Sequence, residues 1–207
     1  LVGDGHNSLS NRERPSGIKV ASQKLDINNA NGVDILIKNG QYVDGAIHVI
    51  GMPSEGAWYN GNGNAVLNIN NDDDPEHAVK IRFENSQGTK AAVAVDKNSG
   101  TATLNIKGLL DVEADGFTAV KEYYGNVYIG GGSIISNGYA LEARGGSMLV
   151  NGELKEDGFV AATSGNRDVT IKGDIHNTIA GSVGVALNTA ASSLEGGIYT
   201  DADSRTT

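Results

Sequence analysis

The densest group of side chains able to do chemistry is the run Asn70-Asn71-Asp72-Asp73-Asp74-Pro75-Glu76-His77. Carboxylate and amide oxygens set this close can surround a hard cation, so Asp72, Asp73 and Asp74 are candidate ligands for Ca2+. The run lacks the glycine and terminal glutamate of an EF-hand loop. It also lacks the glycine-rich nonapeptide of calcium-binding β-rolls. A solvated acidic loop ahead of Pro75 is the plainer reading. A second group is Trp58-Tyr59, inside Gly56-Ala57-Trp58-Tyr59-Asn60-Gly61-Asn62-Gly63-Asn64. Exposed aromatics beside amides stack on sugars or anchor partners, so Trp58, Tyr59, Asn60 and Asn62 are the candidate ligand-binding residues. Their plainer role is a lid folded over the end or side of the fold. Tyr123-Tyr124 and Tyr128 form another aromatic group, whose plainer role is stacking on side chains one coil away. The histidines His6, His48, His77 and His176 are scattered, which argues against a shared metal site. His48 and His176 fall in strand-like runs and are expected to face solvent.

Composition narrows what such groups could serve. Cysteine is absent, which excludes disulfide scaffolds, thiolate zinc sites and thiol catalysis together. With 16 Lys+Arg against 25 Asp+Glu the net charge is −9. Nucleic acids and anionic membrane surfaces both require basic residues to neutralise phosphate, so neither is an expected partner. No run approaches the ~18–20 consecutive apolar residues of a membrane helix, so direct membrane insertion of this segment is not expected. The chain opens at Leu1 without an initiator methionine and stops at Thr207 in a polar tail, and reads as a piece of something larger.

Of the 207 residues, 29 are glycine and only 3 are proline, at positions 15, 53 and 75. Glycine at about twice the ordinary ~7% without periodic proline excludes a collagen helix. The glycines are instead positional. A phrase of small polar, apolar, any, apolar, any, glycine recurs as Thr103-Leu104-Asn105-Ile106-Lys107-Gly108 and Asn126-Val127-Tyr128-Ile129-Gly130-Gly131. It returns as Ser147-Met148-Leu149-Val150-Asn151-Gly152 and Asp168-Val169-Thr170-Ile171-Lys172-Gly173. The leads Leu104, Val127, Met148 and Val169 are 23, 21 and 21 residues apart. Six residues after each lead stand Leu110, Ser133, Leu154 and Ile175. Further on come the pairs Phe117/Ala119, Tyr139/Leu141, Phe159/Ala161 and Val185/Leu187.

Each unit therefore predicts three short strands divided by Gly, Asn and Asp turns. Period-two alternation sends Leu104 and Ile106 inward, and Asn105, Lys107, Tyr128, Thr170 and Lys172 to solvent. So small a unit cannot bury its apolar side alone, but stacked on copies of itself it can. The expected fold is all-β: a single-stranded right-handed parallel β-helix with coils of about 21–25 residues, spaced about 4.8 Å apart. Missing prolines fit central strands that need every N–H for the ladder. Residues 101–207 form the regular part. Residues 1–100 read as a less regular part with inserted loops, carrying strand-like runs at Ile18–Ala21, Val33–Ile37, Ala46–Ile50, Val66–Ile69, Val79–Phe83 and Ala91–Val95.

Glycine- and Asn-rich coils, absent cysteine, acidic pI and phrases such as Leu104-Asn105-Ile106-Lys107-Gly108 resemble the passenger region of bacterial autotransporters. The resemblance covers most of the chain, most closely over about 100–200. It implies display at the Gram-negative cell surface, a C-terminal outer-membrane barrel beyond Thr207, and attachment to a host or bacterial surface protein or glycan. Some passengers carry a protease or esterase, but no Gly-Asp-Ser-Gly stretch or Gly-x-Ser-x-Gly elbow occurs here, and Gly131-Gly132-Ser133 reads as a turn. The expected role is thus an adhesin or stalk, with no catalytic site and no cofactor beyond the Ca2+ candidate. Two alternatives are carried: an enzyme degrading acidic polysaccharide on a β-helix, with paired carboxylates as acid and base, and a trimeric phage or appendage fibre. Against the enzyme, Asp111, Asp115, Asp157, Asp168 and Asp174 are expected mostly at turns, where Asp has a backbone reason to be.

Overall fold

The computed structural model describes residues 2–4, 16–38, 41–42, 45–51, 63–70, 77–84, 87–88, 91–97, 100–108, 110–114, 118–143, 147–150, 154–164, 169–171, 175–177, 183–186, 193–194 and 198–200. Among them every regular element is a β-strand, so the chain is all-β. Every pairing between these strands is parallel. Parallel strands cannot be joined by a tight hairpin, so successive strands must sit in different ladders and return to the same one later.

The strands distribute over three ladders. Ladder one stacks Lys24–Ile27, Ala65–Ile69, Ala102–Ile106, Asn126–Ile129, Ser147–Val150, Val169–Ile171 and Ser193–Leu194. Ladder two begins with Val2–Asp4, Val33–Lys38, Val79–Glu84 and Leu110–Ala114, and ladder three with Ile18–Ala21, Gly45–Gly51, Ala91–Lys97 and Val120–Tyr123. The long strands Gly132–Ala143 and Leu154–Ser164 run through both, joining them into one 13-stranded sheet. Ile175–Asn177 and Ile198–Thr200 continue ladder two, and Val183–Ala186 continues ladder three. A two-stranded pairing of Gln41–Tyr42 with Gln87–Gly88 completes the set. All six strand-like runs expected before residue 100 coincide with strands, extended by at most two residues at either end.

The repeat is realised as register. Leu104 pairs with Val127, Val127 with Met148, and Met148 with Val169, the four leads read from the sequence. The same column reaches back through Leu67 to Leu25, at intervals of 42 and 37 residues that hide it from a search for a fixed period. Leu67, Leu104, Val127 and Met148 are buried, as are their neighbours Ile69, Ile106, Ile129 and Val150. They form one cluster with Ile35, Ile37, Ile81 and Leu110 of ladder two and Ile47, Val49, Val93 and Val120 of ladder three. Each such side chain contributes roughly 1.5–3 kcal/mol by leaving water.

Two register expectations are corrected. Gly132, not Ser133, occupies the rung between Leu110 and Leu154, because the corner after Val127 is one residue shorter than its counterparts. The short corner is feasible because Gly131 and Gly132 adopt φ of 126° and 133°. A Cβ on Gly132 would lie 2.1 Å from the Leu110 carbonyl oxygen. In ladder three the column is Val120, Leu141, Ala162 and Val185, one or two residues from the expected Ala119, Ala161 and Leu187. An irregularity between Ser136 and Tyr139 shifts the pairing there, and a period-two pattern gives no warning of such a slip.

Candidate functional site

The polar face of ladder one is built from the residues that alternate with its core column. Asn68 stands between Asp26 and Asn105 on adjacent rungs. Its Nδ2 donates to Asp26 Oδ1 at 2.6 Å, and its Oδ1 accepts from Asn105 Nδ2 at 2.8 Å. The amides thus form a hydrogen-bonded column that ends on a carboxylate. That donor, followed by a hydrogen bond from Lys24, holds the Asp26 carboxyl below the usual carboxylate range. The next rungs of the column are Tyr128 and Leu149. Parallel in-register stacking sets equivalent positions one rung apart, close enough for the Asn68 and Asn105 amides to bond.

Ladder three differs because its second face is covered too from His48 to Glu142, while Lys19 at the end of the row is exposed. Lys19, His48, Ala94, Lys121 and Glu142 share one row, on the opposite face from Ile47, Val49 and Val120. His48 is 1% exposed, which corrects its expected solvent placement; alternation assigned the face but not the cover over it. Among the described residues neither ring nitrogen has a hydrogen-bond partner, and Nε2 lies 3.9 Å from Asp96 Oδ2. Two rungs away, Lys121 Nζ pairs with Glu142 Oε2 at 2.7 Å, both side chains being buried. The ammonium also lies 4.7 Å from the centroid of the Tyr123 ring, a cation–π distance. The ion pair ties the adjacent rungs Val120–Tyr123 and Gly132–Ala143 together.

The corner from ladder three to ladder one carries the aromatic group. Tyr123 ends its strand, and Tyr124 follows with φ of 64° and 57% exposure. The Gly125 N–H donates to the buried Glu122 carboxylate, and Tyr124 forms an isolated antiparallel bridge with Asp96. A side chain at Gly125 would meet Val95 Cγ1 at 2.7 Å and the Ala102 carbonyl at 2.9 Å, so the corner must pass tightly there. Beyond it, exposed Asn126 accepts from the Ser147 hydroxyl at 2.8 Å, and Tyr128 is half-buried. Stacking between coils was the expected role of this group, but Tyr124 turns outward.

Trp58, Tyr59, Asn60 and Asn62 lie outside the described residues, as do Asp72, Asp73, Asp74 and His6. Asn70, at the head of the acidic run, is buried with φ of 43°, and its Oδ1 accepts from the Asn29 backbone N–H at 2.7 Å. His77 is half-buried and His176 lies in Ile175–Asn177, paired with Lys155 and Tyr199. The described histidines therefore fall on separate elements. Asp111 and Asp157 sit within strands rather than at turns, Asp111 on the rung beside Lys80; Asp115, Asp168 and Asp174 lie outside the described residues. Among the described residues no group of three or more His, Asp or Glu side chains is placed to hold a metal ion. In comparison with known proteins, no family model matches this chain, and no curated protein or solved structure matches it either.

Proposed function

We propose that the three ladders wind as a right-handed parallel β-helix, and that this rod serves as a surface-displayed passenger acting as an adhesin or stalk. The observation that carries the reading is the register of ladder one, where Leu25, Leu67, Leu104, Val127, Met148 and Val169 stack in one column. The chain visits ladders two, three and one in the same order on every pass, which a coil produces and a layered sheet with crossover helices does not. Crossovers between parallel strands are right-handed in nearly all cases, which favours that hand. Each coil touches only its neighbours, so length can grow without redesign, and a rod of this kind carries loops and exposed corners away from a membrane. Under this reading the partner is a host or bacterial surface protein or glycan, and the anchor is an outer-membrane barrel encoded beyond Thr207.

The test is display of the full-length gene product on a non-adherent Gram-negative host. Cell aggregation or attachment to cultured cells is expected to rise over an empty-barrel control. Unchanged attachment overturns the adhesive reading. A downstream gene region encoding no alternating ~10-residue barrel strands overturns the anchoring.

A further inference from the structure

We infer that the corner at Tyr124 is a binding site for an uncharged glycan, with the Tyr124 ring as the stacking platform and Asn126 and Ser147 as the polar contacts. The inference rests on the adhesive reading and names the ligand class for it.

A left-handed backbone conformation is costly for a bulky side chain, and such strain gathers where a structure serves a ligand rather than itself. Tyr124 takes this conformation, with φ of 64°. Ser22, the residue after the first ladder-three strand Ile18–Ala21, three rungs away, also has positive φ, at 54°. There the residue is small and buried, its N–H bonded to the Ile50 carbonyl at 3.1 Å. At the later corner a tyrosine takes the same strained role and directs its ring to solvent, contributing nothing to the core.

The surroundings select the ligand. Leu25 and Tyr124 are the only large apolar side chains exposed among the described residues, so among these the ring is not part of an apolar patch. A protein partner requires roughly 800 Å² from each side with an apolar centre. A single sugar ring needs one aromatic face for its C–H groups and a few neutral hydrogen-bonding groups for its hydroxyls. Asn126 Oδ1 is taken by the Ser147 hydroxyl, which leaves the amide N–H groups and the hydroxyl lone pairs for a ligand. Among the described residues the nearby Lys121 is matched by Glu142, and a chain of net −9 disfavours an anionic glycan.

The experiment measures binding of the 207-residue protein to maltohexaose and to the β-1,4-linked N-acetylglucosamine hexamer, with polygalacturonate as the acidic arm. Binding to at least one uncharged hexamer is expected. Tyr124→Gly should weaken it at least tenfold while raising the thermal unfolding midpoint, since glycine relieves the strained φ. Tyr124→Phe should bind within about twofold of the parent. Failure of both uncharged hexamers, preference for polygalacturonate, or full affinity in Tyr124→Gly overturns the site. A lowered midpoint in Tyr124→Gly overturns it too, because the ring would then be structural. Attachment of displayed cells that survives Tyr124→Gly removes this site but leaves the adhesive function. Glycan binding in solution without attachment does the reverse.

Discussion

Single residues in this protein are constrained by what lies on the adjacent rung. Gly132 is the sharpest case, since a methyl group there meets the Leu110 carbonyl and its φ of 133° suits glycine alone. Gly132→Ala is expected to cost about 3 kcal/mol or more, read as a lowered urea midpoint at unchanged slope. The sequence presented three consecutive glycines there without saying which would stand in the ladder. Asp26 is the second case. Its carboxyl is held low by Asn68 and then Lys24, so the folded-state value lies below the unfolded one. Its contribution is therefore present above the unfolded aspartate value and is lost as pH falls through the folded one. Asn68→Ala should move the Asp26 titration, followed by carboxyl NMR, back up toward the ordinary range; an unmoved titration contradicts the assignment.

At the scale of elements, alternation identified strands well and faces only partly. Ile18–Ala21, Val79–Glu84 and Ala102–Ile106 were legible because β-branched and aliphatic residues alternate with polar ones. Lys24–Ile27 was missed, as two of its four residues are charged and its apolar lead Leu25 belongs to a column recognised only through Leu67. Ladder three misled the reading of His48 because its second face is buried, and a strand covered on both sides loses the polar signal of a solvent face. Its Lys121–Glu142 pair makes this testable. Glu142→Gln leaves the Lys121 ammonium buried without its partner and should cost about 3–5 kcal/mol. Replacing the pair together, as Lys121→Met with Glu142→Leu, should be near neutral or stabilising by chemical denaturation. A small loss in the single variant would mean that the row opens to water.

For the whole molecule, nearest-neighbour stacking predicts how damage travels. Val127→Asp places a charge in the ladder-one column, and backbone amide exchange should quicken first at the paired rungs Leu104 and Met148. Exchange at Leu25 and Leu67 should follow later; simultaneous loss of protection everywhere would speak for one global unit. The sequence by itself determined that the chain is all-β, where most of its strands lie, and that Leu104, Val127, Met148 and Val169 stack. These follow from local alternation and from a fixed period, both of which can be read along a line. Only the tertiary structure decided that Leu25 and Leu67 join that column, that Gly132 replaces Ser133 in ladder two, that His48 is covered, and that Tyr124 is turned out on a strained corner. Those depend on loop lengths, on burial of a second face and on backbone angles at corners. Each is fixed by contacts between residues about 20 to 50 positions apart, which no local pattern records.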